Sequence, residues 1–187
     1  MSEYTDKPLQ GAQRINVIGT SGSGKSTFAT ALAEALQFPY LEMDALFWLP
    51  NWTTKTDEAF KETLARELDA PTWVLHGNYS RTQPIKWTRA DTVIWLDMPR
   101  WTTHYRVTKR SITRAVSGAE LWSGNRESLR KSFFSKDSVI LWSITSYRRV
   151  KAAYANIETN PPAQYQPLTF IHLRSPGEAR AFLAQVK

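Results

Sequence analysis

Eight consecutive residues near the amino terminus combine glycines, hydroxyl side chains and one lysine in a spacing that suits a polyphosphate. They are Gly19, Thr20, Ser21, Gly22, Ser23, Gly24, Lys25 and Ser26. Glycines let backbone N–H groups converge on phosphate oxygens, because no side chain blocks their approach. We expect Lys25 to reach the β- and γ-phosphates and the Ser26 hydroxyl to ligate Mg²⁺. The octet therefore predicts that the chain binds ATP and Mg²⁺.

The sequence on either side of the octet fits a phosphate-binding P-loop. Residues 14–18 form a short run typical of β-strands, and the run from Thr27 to Leu36 is rich in helix formers. Phe28, Leu32 and Leu36 fall on one face of this helix. The helix adds the positive end of its dipole to the anion site. We therefore count Thr27, in its first turn, with the nucleotide-binding residues.

Two aspartates follow predicted strands and are candidates for phosphoryl-transfer chemistry. Asp44 follows the strand 40–43, and in kinases that act on alcohols such a carboxylate accepts the proton of the attacking hydroxyl. The alternative is an aspartate that caps the following turn. Asp97 follows the apolar strand 92–96, where it is either a metal-side carboxylate or a cap for the next helix.

Positive charge is concentrated between residues 100 and 131, where eight basic and two acidic residues give a net +6 of the chain's +7. Arg106, Arg110 and Arg114 are spaced four apart and share one helical stripe. Arginines that close over a phosphoryl group in transfer stabilise its spread negative charge. A solvated basic face is the alternative, and the stripe favours the catalytic role.

Aromatic residues and one amide are candidates for a second-substrate pocket. Trp48, Trp52 and Tyr79 offer flat apolar faces that pack on a base or a sugar ring. Asn78 is expected to point its side-chain amide into the same space. An ordinary place in the apolar core is the alternative for the aromatic residues.

Length and composition indicate one domain without thiol chemistry. The chain has 187 residues and no cysteine, which excludes a thiol nucleophile and a thiolate metal site. We expect residues 1–13 to be a flexible tail and residues 14–187 to form the domain. We find no apolar run long enough for a membrane span and no secretory signal, so we expect a cytoplasmic protein without a membrane partner.

Strand and helix patterns alternate, which predicts an α/β fold: a three-layer P-loop domain with a parallel sheet between helices. Five strands are expected, at residues 14–18, 40–43, 73–75, 92–96 and 168–173. Ligands of such sheets bind at the carboxyl edge. The octet and the loops that begin at Asp44, Gly77, Asp97 and Arg174 should therefore meet at that edge.

Further motifs narrow the comparison with known proteins. They are residues 43–52 (MDALFWLPNW), 77–80 (GNYS), 89–91 (RAD), 124–128 (GNRES) and 133–135 (FFS). With the P-loop, they resemble the adenylate-kinase-related proteins often labelled topology modulation proteins, over about residues 14–183. The resemblance implies the fold of nucleoside monophosphate kinases, with strand order 2-3-1-4-5, ATP binding and a mobile lid.

The resemblance also suggests roles outside the P-loop. The lid would comprise about residues 100–135, with Gly118 and Gly124 giving hinge freedom. Arg126 would be a catalytic residue on the far arm of the lid. Arg174 lies in a loop that resembles the adenine-holding loop of these kinases.

His76 departs from the pattern of that group, which usually carries Asp-Gly at the end of the third strand. The carboxylate there helps to hold Mg²⁺ through water, and here the residue before Gly77 is His76. A neutral imidazole can hydrogen-bond a water but does not balance the charge of the metal. Either Asp44 or Asp97 would then supply the carboxylate, or turnover is weakened.

The sequence as a whole favours a kinase that moves the γ-phosphoryl group of ATP to a small molecule, whether a nucleotide, a nucleoside or another hydroxyl compound. We expect that acceptor between Asp44, Trp48 and Asn78. A nucleotide-gated nucleic-acid-binding protein, which would use the basic segment, is one alternative. The basic segment matches no known type of helix that reads bases in a nucleic-acid groove, which disfavours this alternative. A catalytically weak nucleotide sensor is the other alternative, and the oligomeric state stays open.

Overall fold

A five-stranded parallel sheet forms the centre of the molecule. The computed structural model describes residues 9–118, 120–126, 139–165 and 167–186. The strands are β1 (Arg14–Gly19), β2 (Tyr40–Glu42), β3 (Trp73–His76), β4 (Thr92–Leu96) and β5 (Thr169–Leu173). They lie in the order β2-β3-β1-β4-β5, and each neighbouring pair is parallel. The predicted α/β class and the expected strand order are both confirmed.

Helices follow the strands through the described part of the chain. They are α1 (Lys25–Leu36), α2 (Met43–Phe47), α3 (Asp57–Glu67), α4 (Gln83–Trp87), α5 (Arg100–Ser117), α6 (Val139–Thr159) and α7 (Pro176–Val186). Short 3₁₀ turns occupy Pro50–Trp52, Ser80–Thr82, Trp122–Gly124 and Ala163–Tyr165. None of these described helices is both long and apolar enough to cross a membrane.

Both faces of the sheet are covered, so β1 from Ile15 onward and the whole of β4 are buried. Successive residues of a strand point to opposite faces. On one face, Ile94 lies in a cluster with Leu32 of α1 and Phe182 of α7. On the other face, Trp95 packs edge-on against Tyr154 of α6, with ring centroids 6.0 Å apart. The two helical layers fix the carboxyl edge of the sheet, where the candidate site lies.

The structure describes only part of the predicted tail and only part of the predicted lid. Residues 1–8 of the expected tail lie outside the described residues. Leu9 and Ala12 pack against the buried cluster that contains Leu32 of α1. Of the expected lid, residues 100–118 and 120–126 are described, and the motif at 133–135 lies outside the described residues.

Candidate active site

The P-loop connects the carboxyl end of β1 to the start of α1, and two of its glycines are required by geometry. Gly24 is the N-cap of α1 and has a φ of 93°, which residues with a side chain rarely adopt. Gly22 has a φ of 77° and faces α5. A Cβ on Gly22 would lie only 2.3 Å from the carbonyl oxygen of Thr103. The loop therefore packs directly against the backbone of α5.

The Lys25 side chain lies against its own loop. Its ammonium donates to the carbonyl oxygens of Gly19 and Thr20, at 2.8 Å in each case. Burial lowers the pKa of Lys25 to about 8; the charge of Arg110 lowers it as well, and that of Asp44 opposes both. A lysine with this pKa is still mostly protonated at neutral pH, so it can bind an anion.

Two arginines of the predicted stripe reach this loop from α5. Arg106 Nη1 is 3.4 Å from the carbonyl oxygen of Ser23. The same atom is 3.2 Å from the position that a Cβ on Gly24 would take. Arg110 is close enough to Lys25 for its charge to lower the pKa of that lysine. The structure thus brings Arg106, Arg110 and Lys25 together.

His76 lies beside Ser26, the expected Mg²⁺ ligand. His76 Nε2 is 2.9 Å from Ser26 Oγ, and His76 Nδ1 is 3.3 Å from the Tyr40 hydroxyl. Burial, followed by the charges of Lys25 and Arg110, lowers the pKa of His76 to about 3. The imidazole is therefore neutral at physiological pH. It can orient the Ser26 hydroxyl but adds no charge of its own.

Glu42 brings a carboxylate to this pair, and the sequence analysis missed it. Glu42 Oε1 is 3.7 Å from His76 Nε2. Burial raises the pKa of Glu42, and a hydrogen bond from Trp122 opposes that rise. The charge of Asp44 raises this pKa further, and that of Arg114 lowers it. The signal in the sequence was its place near the end of the predicted strand 40–43, close to the carboxyl edge where ligands bind.

Asp97, the expected metal-side carboxylate, is engaged elsewhere. Its Oδ2 atom lies 2.7 Å from Lys151 Nζ and 3.2 Å from His172 Nε2. The other ring nitrogen of His172 lies 3.0 Å from a carboxylate oxygen of Glu158. Asp97 thus ties β4 to α6 and β5. These contacts engage the Asp97 carboxylate on the side of α6 and β5, and its role as a metal-side carboxylate stays a prediction.

Asp44 lies in the first turn of α2, between the P-loop and an aromatic cluster. Its Oδ1 atom accepts a hydrogen bond of 2.6 Å from the Tyr79 hydroxyl. Burial and the neighbouring Asp44 raise the pKa of Tyr79 above its usual value, so the phenol stays protonated and donates. The charge of Asp44 also raises the pKa of Lys25, which places both groups in one electrostatic environment.

Asn78 binds the end of β1, which corrects the expectation that its amide faces a second substrate. Its Oδ1 accepts from the Gly19 N–H at 3.2 Å, and its Nδ2 donates to the Gly19 carbonyl at 2.8 Å. The loop that carries Asn78 is held by Lys86, a fully buried residue of α4. Lys86 Nζ lies 3.2 Å from the Gly77 carbonyl and 2.5 Å from the Asn78 carbonyl. Lys86 is a second residue that the sequence analysis missed.

Two of the aromatic residues expected at the acceptor, Trp48 and Trp52, lie in the segment that follows α2. Trp48 and Trp52 pack edge-on with ring centroids 5.3 Å apart. The segment 120–126 contacts both of them. Ser123 Oγ donates to the Trp48 carbonyl at 2.8 Å, and Trp52 Nε1 donates to the Arg126 carbonyl at 3.2 Å.

Two of the arginines predicted at the site, Arg126 and Arg174, take peripheral positions. The Arg126 guanidinium pairs with Glu120 at 2.7 Å, and both side chains are 62% exposed, so the structure does not bring this charge to the P-loop. The Arg174 backbone N–H donates to Glu178 at 2.7 Å, and its guanidinium lies 3.5 Å from His172. Ser21 and Thr27 lie within the P-loop and the first turn of α1.

No protein-family model and no curated protein matches the sequence. Among solved structures, shikimate kinase from Acinetobacter baumannii in complex with shikimate matches with a TM-score of 0.53 and 14% identity, over 97% of this chain and 94% of that one. A gluconokinase from Sinorhizobium meliloti has a TM-score of 0.48 and 16% identity, over 94% and 93% of the two chains. A sugar kinase from a Janibacter species has a TM-score of 0.47 and 18% identity, over 94% and 90%. None of these matches supports the narrower label of topology modulation protein. The likeness to the first structure shows that this chain has the fold of a P-loop kinase.

Proposed function

We propose that the protein is an ATP-dependent kinase that phosphorylates a hydroxyl group of a small molecule. The main support is the arrangement at the carboxyl edge of the sheet. There Arg110 and Asp44 lie close enough to Lys25 for their charges to shift its pKa, and Arg106 contacts the P-loop at the Ser23 carbonyl. The shared fold with P-loop kinases agrees with this chemistry.

The octet would hold the triphosphate. Its backbone N–H groups and the start of α1 face the anion. Lys25 would exchange its present acceptors, the Gly19 and Thr20 carbonyls, for phosphate oxygens. Arg106 and Arg110 extend from α5 over the same loop, where they would stabilise negative charge on the phosphoryl group in transfer.

The donor groups near Ser26 fit a magnesium ion that is bound together with ATP. Mg²⁺ usually takes one or two protein oxygens and completes its shell with phosphates and water. Ser26 would supply the hydroxyl ligand, and neutral His76 would orient that hydroxyl. Glu42 would supply the negative charge that His76 lacks, in place of Asp97. When bound, the ion would neutralise charge on the β- and γ-phosphates.

Asp44 would act as the general base. It would take the proton of the acceptor hydroxyl while the oxygen bonds to the γ-phosphorus and the bond from that phosphorus to the β–γ bridging oxygen breaks, which releases ADP. The hydrogen bond from Tyr79 would fix the carboxylate in position. A phosphate acceptor is already anionic and needs no such base, so Asp44 favours an alcohol as the acceptor.

The test is ADP release from MgATP with a panel of polyols, sugars, nucleosides and nucleotides. We expect at least one hydroxyl compound to stimulate release, and Asp44→Asn to lower kcat by about 10²- to 10⁴-fold, the usual contribution of a general base. Glu42→Gln should instead raise the Mg²⁺ concentration needed for half-maximal rate by about 10-fold.

Glu58→Gln, at an exposed position of α3, is the matched control and should change neither quantity. Tight MgATP binding without stimulation by any acceptor would contradict the kinase and favour the nucleotide sensor. An Asp44→Asn variant with the normal kcat would remove the assigned base.

A further inference from the structure

The segment 120–126 is fastened to the segment 48–53 by one buried side chain, that of Asn125. Asn125 is 4% exposed, although it follows exposed residues. Its Oδ1 atom accepts from the Trp52 N–H at 2.7 Å. Its Nδ2 atom donates to the Leu49 carbonyl at 2.9 Å and to the Trp122 carbonyl at 2.8 Å. The amide thus joins both segments through three hydrogen bonds.

Both segments adopt tight turns that need support from their surroundings. Asn51 and Trp52 have φ values of 59° and 56°, and Ser123 and Gly124 have values of 56° and 74°. For residues other than glycine, this left-handed conformation costs about 1–2 kcal/mol each. Hydrogen bonds from Asn125 and Ser123 to the facing segment offset that cost, so each turn supports the other.

The fastened segment also reaches the metal side of the candidate site. Trp122, the residue before the turn at Ser123 and Gly124, lies close enough to Glu42 to lower the pKa of that carboxyl, opposing the effect of burial. Glu42 in turn lies 3.7 Å from His76, the partner of Ser26. A continuous series of contacts therefore runs from Asn125 through Trp122 to the groups beside the P-loop.

We propose that Asn125 is a positioning residue for phosphoryl transfer: it fastens residues 120–126 to the acceptor-side wall at residues 48–53 and thereby holds Trp122 against Glu42. The inference rests on the proposed kinase function. It adds that the segment 120–126 is anchored to the acceptor side of the site and not to the P-loop. The GNRES motif then has a physical role, which is a buried amide clamp at its second residue.

The experiment compares wild type, Asn125→Ala, Trp122→Phe and the matched control Asn160→Ala. Asn160 lies just beyond α6, is exposed, and bonds only to neighbouring residues in the contacts described. Hydrogen exchange of the Trp52 amide reports the clamp without any ligand. The kcat and KM for MgATP hydrolysis, with water as the acceptor, report the groups beside Ser26.

For Asn125→Ala we expect the Trp52 amide to exchange about 5- to 10-fold faster, the effect of losing one net hydrogen bond. We also expect kcat to fall about 10-fold, as when a residue that orients a metal-site group is lost. The KM for MgATP should stay within twofold, because no P-loop contact changes. Trp122→Phe should lower kcat to the same extent but leave exchange of the Trp52 amide unchanged. Asn160→Ala should change neither quantity.

Unchanged exchange at Trp52 in Asn125→Ala would overturn the clamp. Faster exchange with a normal kcat would overturn its role in positioning. If Asn125→Ala does not fold, Trp122→Phe decides, since a normal kcat in that variant breaks the link to Glu42. A wild-type protein that never hydrolyses ATP refutes the kinase and, with it, the positioning role, whereas the exchange result still judges the clamp by itself.

Discussion

Lys86 is a lysine that the fold encloses completely. Its ammonium has the carbonyl oxygens of Gly77 and Asn78 as acceptors, and the sulfur of Met43 lies 3.6 Å away. Burial lowers the pKa of Lys86 to about 7. Met43 separates Glu42 from Asp44 in the sequence. Lys86 therefore braces both the Asn78 loop and the turn that carries the two carboxylates.

The shifted pKa of Lys86 makes stability depend on pH in a definite direction. The unfolded chain keeps this lysine protonated up to about pH 10.4. Between about pH 7 and that value, the unfolded state binds more protons than the folded state, so the free energy of unfolding rises with pH. Lys86→Met removes this contribution, and we expect a flatter rise between pH 7 and 9.5 in urea denaturation.

Lys109→Met, at an exposed position of α5, is the control and should keep the wild-type slope. Lys25, whose pKa is lowered to about 8, contributes a similar rise in all three proteins. Identical slopes for wild type and Lys86→Met would show that Lys86 titrates normally in the folded state.

At the residue scale, the sequence predicted the groups that are contiguous and missed those that depend on strand register. The octet is local, so Lys25 and Ser26 could be assigned from spacing alone. Glu42 and His76 become neighbours only because β2 pairs with β3 in a register that sets Glu42 opposite His76. The contact of Asn78 with the Gly19 backbone joins residues 59 positions apart, so spacing in the sequence could not predict it. The family resemblance implied the strand order, but the register was not predicted.

Helix α5 is the element on which the candidate site most depends. Its buried face consists of small or β-branched residues, Thr103, Val107 and Ser111, and this lets its backbone approach the P-loop closely. The contact between Gly22 and the Thr103 carbonyl is the tightest point of that approach. Arg106 and Arg110 lie on the same helix, so a shift of α5 moves both charges away from Lys25.

We expect Gly22→Ala to abolish MgATP binding and to destabilise the protein, because its Cβ would overlap the Thr103 carbonyl and push α5 outward. Gly118→Ala is a matched control, since Gly118 has a φ of 61° and nothing within 4 Å of its Cβ position. The control should cost only the left-handed backbone penalty of about 1–2 kcal/mol. Calorimetric titration and thermal melts measure both effects. Equal losses in the two variants would mean that the packing on α5 is unimportant.

At the element scale, long periodic segments were predictable and short ones were not. The helix expected from Thr27 to Leu36 is present as α1, and the helix expected to carry the arginine stripe is present as α5. Helices α2 and α4 span five residues each, which is too short to show a helical period, and they were missed. Tertiary contacts hold them instead: the Tyr79 hydroxyl bonds Asp44 of α2, and Lys86 of α4 bonds the Gly77 and Asn78 carbonyls.

For the whole molecule, the placement of positive charge bears on the choice between partners. The basic segment raised the alternative of a nucleic-acid partner, and the comparisons give that partner no support. Within the described residues, Arg106 and Arg110 lie at the P-loop and Arg126 pairs with Glu120. Part of the excess charge is thus directed at the P-loop.

The most direct test of the central claim is isothermal titration of the intact protein with MgATP, beside the Lys25→Ala variant and the Lys55→Ala control. Lys25 contacts the P-loop, whereas Lys55 bonds Thr63 of α3. We expect wild type and Lys55→Ala to bind one equivalent, and Lys25→Ala to lose binding or weaken it by at least about 100-fold, as for loss of a charge-assisted contact. No heat with wild type, or equal affinity in Lys25→Ala, would contradict the account.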